Sequence, residues 1–184
     1  SIHARFLHII NQILENSEIK LKDIEIVTPD EKNKILYTFN DTKADYPKDK
    51  TIAQLFEEQV EKTPDNIALV FGNEQLTYRE LNERANSLAY YLRSKGIKRN
   101  DIIGIMVNRS LEMIVSILAV LKSGACYIPI DPECPQDRIE YMLDNSNSKI
   151  LLTFEKLKDK VNFDNKLFVE LSNELYNSNK SNLE

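Results

Sequence analysis

The sequence predicts an α/β fold made of strand-helix-strand units in a largely parallel sheet. Three observations carry that prediction. Residues 102–107 form an apolar run with almost no alternation, the pattern of a strand buried on both faces. Residues 110–122 follow as a helix whose apolar side chains occupy most of its circumference, so it too is buried on more than one side. Residues 121–131, Leu-Lys-Ser-Gly-Ala-Cys-Tyr-Ile-Pro-Ile-Asp, then compress a helix end, a tight turn, a buried strand and an exit loop into one short stretch. Alternation continues to residue 152, which implies right-handed crossovers in a parallel sheet.

Residues 2–15 have Ile2, Phe6, Ile9, Ile10, Ile13 and Leu14 on one helical face. Residues 19–27 follow, where Ile24, Ile26 and Val27 suggest an extended segment ending at Thr28-Pro29. This is too little to make a domain, and its apolar faces want a partner that the chain does not supply. Residues 30–50 turn polar, with Asn40-Asp41, Asp45, Pro47 and Asp49 as loop signals. They read as a linker with one helical turn around residues 32–39.

A second unit starts at Thr51, which with Gln54 fits a capping box. Ile52, Leu55, Phe56 and Val60 form its buried stripe until Thr63-Pro64 stops the helix. Residues 67–71 and 74–77 read as strands joined by a hairpin turn at Gly72-Asn73. Thr77 caps the next helix, with Glu80 completing a second capping box and Gly96 ending the run. Tyr78, Leu81, Ala85, Leu88, Ala89 and Leu92 recur there at helical spacing. Residues 127–130 are the next strand, and Pro135 opens a helix whose inner face is Ile139, Met142 and Leu143. Residues 149–153 and 167–171 are further strands. Residues 172–184, rich in asparagine and serine, read as a loop or frayed tail. Nothing after residue 153 promises enough apolar surface to cover the central helix and strand.

A net charge of −5, a pI near 5.2 and no basic run argue against nucleic acid as a partner. The longest apolar stretch, residues 113–121, is broken by Ser116, whereas a membrane span needs roughly 18 apolar residues. The start Ser-Ile-His-Ala-Arg has no signal-peptide pattern and no initiator methionine. The expectation is a cytoplasmic polypeptide that is an excised or processed piece.

Cys126 and Cys134 match no zinc spacing, and His3 and His8 lie far from them. Cys126 reads as a small buried side chain in its strand. Lys122-Ser123-Gly124 reads as a helix C-terminus, with lysine complementing the macrodipole and glycine taking the left-handed turn. Tyr127 reads as a core aromatic rather than a ligand contact. Arg109 and Glu112 read as surface or capping groups. No residue is assigned a catalytic, cofactor-binding or metal-binding role.

Several stretches resemble one family. Leu76-Thr77-Tyr78-Arg79-Glu80-Leu81, continuing through Asn82-Glu83-Arg84-Ala85-Asn86, resembles the first core motif of adenylation domains in nonribosomal peptide synthetases. Residues 121–131 resemble the second core motif. Residues 55–60 with Thr63-Pro64-Asp65, residues 108–113, Tyr141-Met142-Leu143 and Leu151-Leu152-Thr153 are similar to that family as well. The likeness runs over about residues 40–153. Residues 1–27 resemble the end of a condensation domain and residues 28–50 the linker that follows it. Residues 51–184 then resemble the N-terminal portion of the adenylation domain. Two positions depart from the pattern: Cys126 stands where the family usually has alanine, and Cys134 where it has an aromatic.

The resemblance implies a parent enzyme that activates an amino acid with ATP and Mg²⁺ as aminoacyl-AMP. The aminoacyl group would then be loaded as a thioester on phosphopantetheine of a carrier domain, in antibiotic or other secondary metabolism. The implied partners are the rest of the adenylation domain, the upstream condensation domain and the downstream carrier domain, with neither nucleic acid nor membrane. In the family the phosphate loop is a glycine-rich segment ending in Pro-Lys-Gly. Here the only glycines are Gly72, Gly96, Gly104 and Gly124, none of which builds such a loop. The paired-histidine motif of condensation and the Gly-Gly-x-Ser carrier site are missing too. The piece is expected to bind no cofactor and catalyse nothing by itself, acting as scaffold and interdomain interface. Two other readings remain open: a fragment of a related acyl or aryl-acid CoA ligase, and a naturally truncated, non-catalytic interaction module.

Overall fold

The computed structural model describes residues 1–170, 176 and 179–183. It divides into two compact units, Ser1–Lys48 and Asp49–Glu184.

In the first unit, helix α1 (Ile2–Glu15) is capped by the Ser1 side chain, which accepts from the Ala4 N–H. The segment around Glu25 is extended, as expected, but it joins no strand. Instead the Gln12 side-chain amide donates to Glu25 O at 2.8 Å and accepts from Glu25 N–H at 2.9 Å, standing in for a neighbouring peptide group. The first part of the expected segment, residues 19–27, instead holds a 3₁₀ turn (Leu21–Asp23). Helix α2 (Pro29–Asn33) begins at a Thr28/Glu31 capping box and passes into a π-helical turn at Lys34–Thr38, closed by Phe39 N–H on Lys34 O. The expected helical turn within the polar stretch is therefore present and starts earlier. Arg5 Nε donates to Glu31 at 2.9 Å, and chiefly through that bond the Glu31 carboxyl is held down to about 2. No residue from 1 to 48 is buried, and Ile2, Leu14, Leu21 and Phe39 are all exposed.

The second unit opens with helix α3 (Ile52–Lys62), whose Thr51/Gln54 capping box is present. Its apolar stripe is less buried than the pattern suggests. Phe56 packs on the core, but Ile52 is 66% exposed, because α3 lies at the rim and meets α4 and α5 along one side only. Strands β1 (Ile67–Phe71) and β2 (Glu74–Thr77) pair antiparallel around Gly72 at φ +61. Helix α4 (Tyr78–Ser94) starts at the Thr77/Glu80 capping box and ends at Gly96, φ +86. It buries Leu81, Ala85, Leu88, Ala89 and Leu92, as its spacing predicts.

Four strands form the parallel sheet, in order β4-β3-β5-β6. Strand β3 (Ile102–Met106) leads into helix α5 (Leu111–Ser123), strand β4 (Cys126–Pro129), helix α6 (Gln136–Asn145), strand β5 (Ile150–Thr153) and strand β6 (Lys166–Phe168). Pro135 sits just outside α6 at the N-cap rather than at its first turn. β3 is buried from Ile103 to Met106, as its unbroken apolar run requires. α5 packs against α4, α3, β1, β3 and β4. It ends in a Schellman motif, with Ala125 N–H on Val120 O, Gly124 N–H on Leu121 O and Gly124 at φ +86.

β4 corrects the sequence reading. It is the edge of the described sheet, paired on one side only, and Cys126, Tyr127 and Pro129 are exposed rather than buried. An edge is also where a proline without an N–H costs no ladder bond. The expectation that nothing after residue 153 covers the core is likewise overturned: Phe154, Leu157, Val161, Val169 and Tyr176 all join the buried cluster. The expected strand at residues 167–171 is β6, and its last residue lies outside the described chain. Of the expected loop or tail at 172–184, residues 172–175, 177, 178 and 184 are not described; residues 179–183 are irregular and bonded to α4.

Gly104 sets how closely α6 approaches the sheet. A Cβ there would lie 2.8 Å from Leu143 Cδ2 and 2.9 Å from Leu151 Cδ1, both fully buried side chains. Its strand neighbours Ile103 and Ile105 point to the opposite face. We expect Gly104→Ala to lower stability by about 1 kcal/mol and Gly104→Val by about 3 kcal/mol, as overpacking does. Urea unfolding midpoints at constant slope check this, and equal stability of the valine variant would refute the close approach.

Candidate functional site

The strand order fixes where a site belongs. From β3 the chain crosses to β4 on one side, then back past β3 to β5 on the other. Ligands of open α/β sheets settle outside the carboxyl ends of the strands at such a reversal. Here that edge is built from the residues after β3, β4, β5 and β6. The buried Thr153 hydroxyl donates to Met106 O at 2.9 Å and fastens the end of β5 to the end of β3. Ser110 caps α5, its Oγ accepting from Met113 N–H. Asp131 Oδ1 accepts from Glu133 N–H at 3.0 Å, closing the exit loop of β4. Glu170, beyond β6, accepts from Glu155 N–H at 2.6 Å.

Two clefts open on this edge and share Asn108 and Arg109 as a common wall. One of about 570 Å³ lies between the β3 and β5 ends and is lined by Phe71, Ser110, Glu112, Phe154, Lys156 and Glu170. The other, of about 460 Å³, lies between α5 and β4 and is lined by Met113, Ile117, Tyr127, Pro129, Asp131 and Pro132. A larger cleft of about 630 Å³ sits at the opposite, amino end of the strands, with Lys95, Lys98, Lys149 and Lys166 around it. Strand polarity favours the carboxyl edge over that larger volume.

The residues weighed from sequence fall as follows. Arg109 is exposed on the dividing wall, as a surface group should be, and Glu112 stands in the first turn of α5. Tyr127 is not core: it is 39% exposed and lines the smaller cleft. Among the described residues, the walls of this edge carry few groups of the kind that grip a phosphate. None of its wall residues is a glycine at positive φ, the first-turn Met113 N–H is already taken by Ser110, and Arg109 and Lys156 are its only cations among the described residues. No group of three His, Cys, Asp or Glu among the described residues is placed to hold a metal ion. The arrangement offers two clefts that share a wall at Asn108 and Arg109.

Sequence reasoning missed an ion pair at the other end of α5, toward the amino ends of the strands. Lys122, in the last turn of α5, is 6% exposed and binds Glu57 of α3, with its ammonium 5.9 Å from the Phe56 ring centre. Burial lowers the Lys122 pKa, and Glu57 opposes that shift. A lysine inside an otherwise apolar helix was the available signal, but the macrodipole accounted for it in sequence terms.

This geometry has known relatives. The profile described as AMP-binding enzyme matches residues 56–181. Bacitracin synthase 1 of Bacillus licheniformis is 48% identical over 183 residues, taking in 100% of this chain and 3% of that protein. Gramicidin S synthase 2 of Brevibacillus brevis is 47% identical over 181 residues, 98% of this chain and 4% of that one. Among solved structures, the AMPPNP-bound form of the nonribosomal peptide synthetase FmoA3 superposes with a TM-score of 0.74 at 21% identity. That superposition covers 99% of this chain and 20% of the other, and at such identity it bears on fold alone. The N-terminal subdomain of Klebsiella oxytoca NpsA gives 0.63 at 26% identity, covering 73% of this chain and 34% of that one. The architecture is thus part of the N-terminal subdomain of the adenylate-forming fold. The chain belongs to the AMP-binding enzyme family, as a part of a nonribosomal peptide synthetase adenylation domain, and it spans 3% and 4% of the two synthetases named above.

Removing Glu57 strands a buried cation, so Glu57→Gln is expected to cost about 3 kcal/mol or more, whereas replacing both partners by methionine costs little. The pH dependence has a definite sign. A lysine with a lowered folded pKa leaves the unfolded state binding more protons, so its contribution to stability rises with pH up to about 10.5. The deficit of Glu57→Gln should narrow between pH 7 and pH 10 in denaturation series. A constant deficit would show that charge burial is not its cause.

Proposed function

We propose that the parent polypeptide activates an amino acid with ATP and Mg²⁺ as aminoacyl-AMP and loads it on the phosphopantetheine thiol of a carrier domain. In this reading residues 1–27 are the end of a condensation domain, residues 28–50 the linker, and residues 51–184 the start of the adenylation domain. The stretch serves as scaffold for the nucleotide half of the site and as an interface to the condensation domain, in the cytoplasm. The carboxylate is a weak nucleophile, so the chemistry rests on positioning and on cationic stabilisation of the phosphorus centre. A rigid β3-α5-β4 frame suits the first of these.

One observation carries the reading. The AMP-binding profile begins at residue 56, yet the match to bacitracin synthase 1 extends through 100% of the chain. Shared residues ahead of the enzyme domain support a peptide synthetase over a stand-alone acyl or aryl-acid CoA ligase, for which nothing in the first unit speaks.

The test is ATP–pyrophosphate exchange by the natural-length polypeptide. Exchange should depend on one amino acid or a few related ones, followed by a thioester on the carrier serine arm detected by mass. Exchange driven only by fatty or aryl acids, with transfer to free coenzyme A, would replace the reading by the related ligase. A natural polypeptide near 21.3 kDa with no exchange would leave an interaction module instead.

A further inference from the structure

Helix α4 buries two side-chain amides whose hydrogen-bond partners lie far away in the sequence. Asn82 and Asn86 are 8% and 0% exposed, and a buried amide is costly unless bonded. With Tyr90 they recur at every fourth position and so share one stripe of the helix. Their partners come from nearly a hundred residues away. Asn82 Nδ2 donates to Asn182 Oδ1 at 2.9 Å, and Asn86 Nδ2 donates to the same oxygen at 3.0 Å and to Lys180 O at 2.8 Å. Tyr90 OH donates to Asn182 O at 3.3 Å, and Lys180 pairs with Glu83 at 3.0 Å. Two apolar pins flank this ladder: Tyr176 is buried and donates its hydroxyl to Val169 O at 2.8 Å, and Leu183 packs half-buried on the core.

We propose that residues 179–183 form a strap that docks on the polar stripe of α4 and releases as a unit while the core stays folded. Three features make the hold partial. Residues 179–182 are exposed, so between the pins the strap is held by polar bonds of small net worth. The Asn82 and Asn86 carbonyl oxygens are buried without a partner in the docked state and gain water on release. Release uncovers mainly amides and a phenol on α4, which makes local opening cheaper than exposure of the apolar core.

Trypsin digestion of the natural-length protein across a urea series tests this, because the chain carries two reporters. Lys180 lies in the strap, and Lys122 is buried in the core. Cleavage after Lys180 should proceed at a rate nearly independent of urea below the unfolding transition, while cleavage after Lys122 follows global unfolding. The double variant Asn82→Ala, Asn86→Ala should cut at least about tenfold faster at Lys180, as loss of several such bonds implies. Tyr90→Phe, which touches only the exposed end of the ladder, should accelerate the same site by a few-fold with the Lys122 rate unchanged. The proposal falls if Lys180 is cut in step with Lys122, or if Tyr90→Phe and the double variant leave the Lys180 rate at its original value. It also falls if the double variant accelerates both sites equally, since the amides would then serve the whole fold.

Discussion

The burial of α5 is the constraint from which the rest follows. Leu111, Val115, Leu118, Ala119 and Val120 lie on different sides of one helix, and all are buried. Such a helix has no face to leave in water. β3 and β4 cover one side, and α4, α3 and the β1 strand cover the others. Its length and exit are fixed as firmly as its surroundings, by Ser110 at the start and the Gly124 Schellman turn at the end. The turn delivers the chain directly into β4 beside β3, with Cys126 paired to Ile102.

Covering α5 completely has a cost at its last turn. Lys122 would find water at the end of an ordinary surface helix, but here α3 closes over it. Glu57 neutralises the trapped ammonium and the Phe56 ring faces it. α3 itself contributes little buried apolar surface, so its attachment rests on this pair and on Phe56 to an unusual degree. A charge pair that is neutral in net energy can still determine which helix lies where.

Features set by neighbouring residues were legible in the sequence. The Thr51/Gln54 and Thr77/Glu80 capping boxes, the Gly72 turn and the Gly96 and Gly124 helix ends all read directly, because each is completed within a few residues. The buried β3 read correctly as well. β4 did not, because a short apolar run is the same in a central strand and at an edge; only the strand order exposes Cys126 and Tyr127. Asn82 and Asn86 were visible within a motif, but their partners at 180 and 182 are held by a contact that no spacing rule encodes. The core residues after 153 were missed for the same reason: Phe154, Leu157 and Val161 are scattered singly rather than in a periodic run.

The carboxyl edge of the sheet follows from the same packing. The order β4-β3-β5-β6 creates the reversal, and Thr153 locks the two strands that flank it. The two clefts meet at Asn108 and Arg109, on the loop that launches the most buried helix in the molecule. That loop leads straight into the Ser110 cap of α5, so the packing of the helix ties the position of the wall to the core. Positional rigidity of this kind suits a reaction governed by alignment. Among the described residues, Arg109 and Lys156 are the cations on these walls, so the arrangement is carried more by shape than by charge.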